Sequence, residues 1–248
     1  MKRLVSAILL SAMLLTACGK EDTGAEHSVS ETTTTPAEVT TVQTEEATTV
    51  SVSETTVETT GYDFSIYKDA PVLSGEPREI DWNIIFEDDC VVIGAEKYPA
   101  YVRVGKLSSD LELEIIGVGE VNNVNPEYLN DYYGLNYLGH TVGGIITSRK
   151  ADVEPKDAYI SVWMFSGECA VPKEKVGILG FSFAQSFDEV TGIYLPKEEA
   201  EGVANYYGVT ERDGELFSCS LFYTDFITML NITSYDANPD LYNQYTAK

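Results

Sequence analysis

The residue types that carry nucleophilic or acid–base chemistry are spread thinly along this chain. Beyond residue 60 it has one histidine, His140, between Gly139 and Thr141, so a hydrolytic triad would have to be built on it. The serine of such a triad sits on a strained G-x-S-x-G elbow. The nearest run, Gly180-Phe181-Ser182-Phe183-Ala184, lacks the last glycine and reads as a strand. Ser65-Ile66-Tyr67-Lys68 has the S-x-x-K spacing that sets a serine beside an activating lysine, but neither S-D-N nor K-T-G comes after it. A tetrahedral zinc site would have to gather Cys90, Cys169, Cys219 and His140 from four distant places, without the short C-x-x-C pair that usually seeds one. Gly117-Val118-Gly119-Glu120 lacks the lysine and third glycine of a phosphate loop. Glu87, Asp88 and Asp89 could flank a sugar as acid and base, yet they stand between two apolar runs where a solvated turn is expected. Asp236, Asn238 and Asp240 alternate as oxygen ligands for calcium would, but Pro239 interrupts them and no glycine or terminal glutamate completes the loop. No catalytic residue, cofactor or metal is therefore expected, and the chain reads as a non-enzyme.

One cysteine has a clearer chemical prospect. Two positive charges, Lys2 and Arg3, precede an apolar stretch from Leu4 to Leu15, and small residues lead into Cys18. These are the parts of a secretory leader, and about 12 apolar residues are too few to span a hydrocarbon core of about 30 Å as a helix. Leu15-Thr16-Ala17-Cys18 resembles the lipobox of bacterial lipoproteins. The resemblance implies that the Cys18 thiol takes diacylglycerol, that residues 1–17 are removed as a signal peptide, and that the protein is held on the outer face of the cell membrane.

Charge and composition divide what remains. Residues 20–60 hold 14 Thr and 4 Ser with interspersed acids and Val, too little apolar surface to offset chain entropy, so 18–60 reads as a disordered tether behind the lipid. Residues 61–248 carry 31 acids against 13 bases and form the globular part, one domain or two small subdomains. Nucleic acid is excluded as a partner, because phosphate affinity needs clustered Lys and Arg. The same charge would repel anionic headgroups, so membrane attachment rests on the lipid at Cys18. Once Cys18 is lipidated, Cys90, Cys169 and Cys219 are an odd set: either all are free or one pair bridges. Cys90 and Cys219 sit in apolar, strand-like surroundings that favour buried thiols.

The tyrosines are the remaining lead. Sixteen are grouped mainly as Tyr128, Tyr132, Tyr133 and Tyr137, then Tyr206 and Tyr207, then Tyr235, Tyr242 and Tyr245. A flat apolar face with a polar tip suits sugar stacking and protein contacts. Tyr128, Tyr132 and Tyr133 are taken as the candidate binding residues.

The elements that must position these residues read as an α+β fold with a largely antiparallel sheet and a few short helices. Strands are expected at 80–86, 91–95, 100–104, 112–118, 142–147, 159–165, 176–183, 216–223 and 226–234, where β-branched and aromatic residues alternate between Gly, Asp or Asn breaks. Glu87-Asp88-Asp89 and Arg212-Asp213-Gly214 read as turns. Asn125-Pro126 predicts a helix of two turns through Leu129, Tyr132 and Tyr133 to Gly134. Ser186 and Glu189 predict a capping box over 188–191. Pro196 opens a third expected helix, running to Tyr207.

A second resemblance lies in the order Gly143-Gly144-Ile145-Ile146, Asp157-Ala158-Tyr159-Ile160, Val176-Gly177-Ile178-Leu179-Gly180 and Ser186-Phe187-Asp188-Glu189-Val190. It resembles a strand, strand, short-helix module of uncharacterised surface lipoproteins of Gram-positive bacteria, covering about residues 80–230. A fainter likeness to β-lactamase-inhibitor-like proteins would imply protein binding. The expectation is a lipid-anchored extracytoplasmic binding or interaction module whose partner is a cell-wall glycan or a surface protein. A cell-wall or glycan hydrolase is the alternative.

Overall fold

The computed structural model describes residues 62–167 and 169–247. The leader, Cys18 and the Thr-rich stretch lie outside the described residues. What is described is an α+β fold dominated by antiparallel sheet, as the sequence predicts. A large sheet of eight strands is ordered β3 (Leu111–Val121), β4 (Tyr128–Tyr137), β5 (His140–Lys150), β6 (Tyr159–Ser166), β12 (Ile227–Ser234), β11 (Glu215–Tyr223), β10 (Val203–Arg212) and β9 (Glu198–Ala200). A small sheet of four is ordered β2 (Glu96–Tyr98), β1 (Val91–Ile93), β7 (Val176–Ile178) and β8 (Phe181–Ser182).

Period-two patterning decides how the two sheets meet. Along β12, Thr228, Leu230 and Ile232 are buried while their neighbours are half-buried, and β4 alternates in the same way over Asp131, Tyr133, Leu135 and Tyr137. Those inward rows join Trp163, Phe165, Phe217 and Leu221 in one core with Val91, Ile93, Ile178 and Phe181 of the small sheet. The small sheet is buried throughout β1 and β7, because the chain from Tyr67 to Leu73 crosses its back. Ala70 N–H donates to Glu174 O at 2.7 Å, and the Gln185 amide both accepts from Leu73 N and donates to Leu73 O. Trp82 lies against Gly208 so closely that a Cβ there would overlap the indole.

Four expected elements are corrected; the strand expected at 100–104 is one isolated bridge, Arg103 to Tyr159, leading into a 3-10 turn over Val104–Lys106. The predicted helix over 126–134 is strand β4. Asn125 does supply a cap, accepting from Glu127 N at 3.1 Å, but it closes a turn, and the residues after it alternate with period two. The predicted helix over 196–207 is the β9–β10 hairpin, because Gly202 at φ +70° reverses the chain where the helix would have continued. The predicted strand at 80–86 is instead a 3-10 turn over Trp82–Phe86, started by Asp81 accepting from Asn83 N. The capping box does form: helix α1 (Phe187–Thr191) starts on Ser186, whose N–H donates to Glu189 Oε2 at 2.7 Å. A second helix, α2 (Pro239–Thr246), is capped by Asn238 and packs on β10 and β11. No helix among the described residues is long and apolar enough to cross a membrane.

Candidate functional site

The three candidate tyrosines all lie on β4 but do not share a face. Tyr133 points inward and is buried, and desolvation raises its phenol pKa. Tyr128 and Tyr132 are half-buried on the opposite face of the sheet. Tyr132 lies beside Gly117 of β3, so that a Cβ on the glycine would stand 3.7 Å from the ring. Tyr128 is paired with Lys150, whose Nζ is 5.8 Å from the ring centroid. On that outer face a half-buried row runs across the sheet from Tyr132 through Ile146, Val162, Asn231 and Ser220 to Tyr207. Helix α2 covers the far end of the row, where Tyr245 stacks on Tyr207 at 5.0 Å between ring centroids. Among the described residues the helix packs on the β10 and β11 end of the sheet, away from Tyr132.

Beside Tyr132 lies a feature that the candidate residues alone do not reveal. Strand β3 is the edge of the large sheet and has β4 as its one strand neighbour among the described residues. Ile115 (68 % exposed), Ile116, Val118, Val121 and Val124 (64 %) are all solvent-facing, an apolar run in a sequence whose large hydrophobic residues are otherwise mostly covered. Two register shifts, between Ile115 and Gly117 and between Gly117 and Glu120, bend the strand. The signal was legible in part: Glu112–Val118 reads as a strand, but pattern alone does not reveal that it is an edge among the described residues.

A buried ion pair fixes this end of the sheet. Arg149 Nε donates to Asp131 Oδ2 at 2.7 Å and Nη2 to Oδ1 at 3.3 Å, with Asp131 fully buried and Arg149 8 % exposed. The same carboxylate accepts from Gly119 N at 2.7 Å, at the bulge of β3 where Gly119 has φ +75°. Arg149 Nη1 donates on to Val153 O, so the guanidinium is satisfied as well. The loop leaving β3 is held by amides: Asn122 Oδ1 accepts from Val124 N and Asn125 N, and Asn125 Nδ2 donates to Asp236 O. The edge is therefore bent but braced.

Of the residues singled out for catalysis, the serines are hydrogen-bonded elsewhere, His140 has ring contacts and the acidic turn is solvated. His140 sits at the start of β5 with Phe64 at 5.6 Å and Tyr62 at 6.0 Å between ring centroids. Ser182 donates to Lys173 O and accepts from Ala184 N. Ser65 bonds Asp63 instead of Lys68, and those bonds hold the Asp63 carboxyl below its usual range. Glu87, Asp88 and Asp89 form an exposed turn. Asn238 of the calcium-like run caps α2 by accepting from Leu241 N. Among the described residues no three His, Cys, Asp or Glu side chains group as a metal would require. Cys90, Cys169 and Cys219 are unpaired; burial pushes the Cys90 thiol up to about 12 and raises Cys219 too. A depression of 380 Å³ is lined in part by Lys173, Gln185, Glu189, Tyr223 and Phe226. Its Gln185 amide is bound to Leu73 and its Glu189 carboxylate to Ser186, which leaves little convergent chemistry.

Comparison of the chain with protein-family models, with curated proteins and with solved structures finds no match.

Proposed function

We infer that this chain is a lipid-anchored extracytoplasmic binding module that meets a macromolecule at the cell surface through the β3–β4 end of its large sheet. The observation that carries the reading is the set of exposed apolar residues Ile115, Ile116, Val118 and Val121 on edge strand β3, with Val124 in the loop after it, at the Tyr132 end of the large sheet. Exposed apolar side chains grouped on one edge strand are the kind of surface through which proteins meet partners. A binding role also accords with the candidate nucleophiles Ser65 and Ser182 donating to Asp63 and to Lys173 O. The anchor is proposed from Leu15-Thr16-Ala17-Cys18, which ends the charged, apolar leader.

A photo-crosslinking amino acid placed at residue 116 of the full chain, expressed in a host that processes lipoproteins, tests the contact surface. Adducts with wall material or surface protein are expected from position 116 and not from position 199 at the opposite edge. Equal yields from the two positions, or none, would overturn the assignment of this end. For the anchor, Cys18→Ala should accumulate as a precursor that keeps its leader; normal maturation of that variant would refute lipidation.

A further inference from the structure

We propose that the free edge of β3 takes up an extended basic segment of a partner as a ninth strand, with alternating Lys or Arg and apolar residues. The proposal rests on the binding-module reading and names the chemistry of its partner.

Three observations converge on this strand. Its far edge has no neighbour among the described residues, so it offers backbone donors and acceptors to an incoming strand. Its two faces differ. Glu112 and Glu114 pair with Asn136 and Gly134 and share the outer face with Tyr132, whereas Leu113 and Ile115 pair with Leu135 and Tyr133 on the core side. An added strand would keep this alternation: its outer-face side chains would lie beside Glu112 and Glu114, and its other side chains would extend the apolar row past Leu113 and cover Ile115. Finally, β3, β4 and the loop between them carry charge of one sign, with Lys106, Arg149 and Lys150 as the flanking bases. From Leu107 to Ser148 the sequence has six acids, Asp110, Glu112, Glu114, Glu120, Glu127 and Asp131, and no Lys or Arg. Arg149 neutralises only the buried Asp131.

The charge also decides between occupants. A second copy of the chain pairing edge to edge about any of Leu111 to Glu114 would set like charges together. A dyad through Leu113 places Glu112 opposite Glu114, and one through Glu114 places that residue opposite itself. Acidic side chains on an edge strand are a known guard against self-pairing, and here they leave the edge open to a partner of opposite sign.

Fluorescence anisotropy of a labelled (Lys-Val)5 peptide titrated with the full chain in neutral detergent tests the proposal. Binding is expected, with (Glu-Val)5 at least about tenfold weaker. The charge reversal Glu112→Lys with Glu114→Lys should invert that preference, and Glu112→Gln with Glu114→Gln should remove it. Two further peptides, N-methylated at all lysines or at all valines, separate strand addition from simple charge attraction: one should lose binding and the other keep it. Equal binding of the two methylated peptides, no binding of (Lys-Val)5, or indifference to the reversal would each overturn the proposal. If residue 116 still crosslinks on cells while these titrations fail, the contact surface stands and only the basic strand is refuted.

Discussion

The two edges of the large sheet are built on different plans. At one end β9 is three residues long, its Glu198, Glu199 and Ala200 are all exposed, and Pro196 lies just before it. Shortness, charge and a nearby proline are devices by which natural sheets blunt an edge. At the other end β3 runs for eleven residues and keeps Ile115, Ile116, Val118 and Val121 in solvent. Among the described residues its guards are the acids of its outer face and its two bulges. The near face of β10 is also covered by α2, whereas nothing comparable among the described residues covers Tyr132. Exposure at β3 is therefore local: among the described residues the same sheet blunts one edge with a short charged strand and leaves a long apolar strand at the other.

The largest effect is expected where β3 is braced. Asp131→Ala would leave Arg149 buried without its partner and free the Gly119 N–H, and loss of one member of a buried pair costs about 3–5 kcal/mol. Urea unfolding should show that drop, while Asp131→Leu with Arg149→Met should recover most of it by removing both charges. A drop below about 1 kcal/mol for the single change would mean that the pair does not hold the edge. Next in size are the two edge glycines. A Cβ on Gly119 (φ +75°) or on Gly202 (φ +70°) meets no atom within 4 Å, so alanine at either position carries backbone strain alone, about 1–2 kcal/mol. Equal costs at the two sites would show that the edges make the same backbone demand and differ in side chains; a cost confined to Gly202 would show that β3 can relax.

The same dipeptide shows how far local sequence could be read. Asn-Pro occurs twice. Asn238-Pro239 opens α2, with Asn238 accepting from Leu241 N at the third residue on, as a helix cap does. Asn125-Pro126 offers the same cap, yet Asn125 accepts from Glu127 N two residues on and the chain enters β4. The residues beyond each proline make the difference. Leu129, Tyr133, Leu135 and Tyr137 alternate, and the buried Asp131 conceals the pattern because its charge is compensated only by Arg149, eighteen residues away. Asp213-Gly214 was legible as a hairpin. The equivalent Leu138-Gly139 and Leu179-Gly180 turns were not, since a leucine at φ +51° is an unusual first residue for such a turn. Of the candidate site, the β3 segment was legible as a strand over 112–118, whereas the tyrosines were expected on a helix and lie on β4. Which of them faces outward, and which strand lacks a neighbour, depends on sheet order, and order is a long-range property that periodicity does not encode.

The smallest expected effect bears most directly on the two edges. Ile116→Lys replaces an exposed side chain on the apolar edge, and Glu199→Val places an apolar one on the blunted edge. Each should change unfolding free energy by no more than about 0.5 kcal/mol, because neither position is buried in the fold. Their effects on association should oppose one another in kind. Ile116→Lys removes apolar area from the one long strand edge and introduces a cation amid acids, so it should weaken capture of (Lys-Val)5 without altering the far-UV circular dichroism. Glu199→Val leaves a strand that pairs over only three residues with β10, too short a template to recruit another chain, so sedimentation velocity should find it as monodisperse as the parent. If Glu199→Val self-associates, length is not what protects β9, and the acids common to both edges carry more of the protection than strand length does.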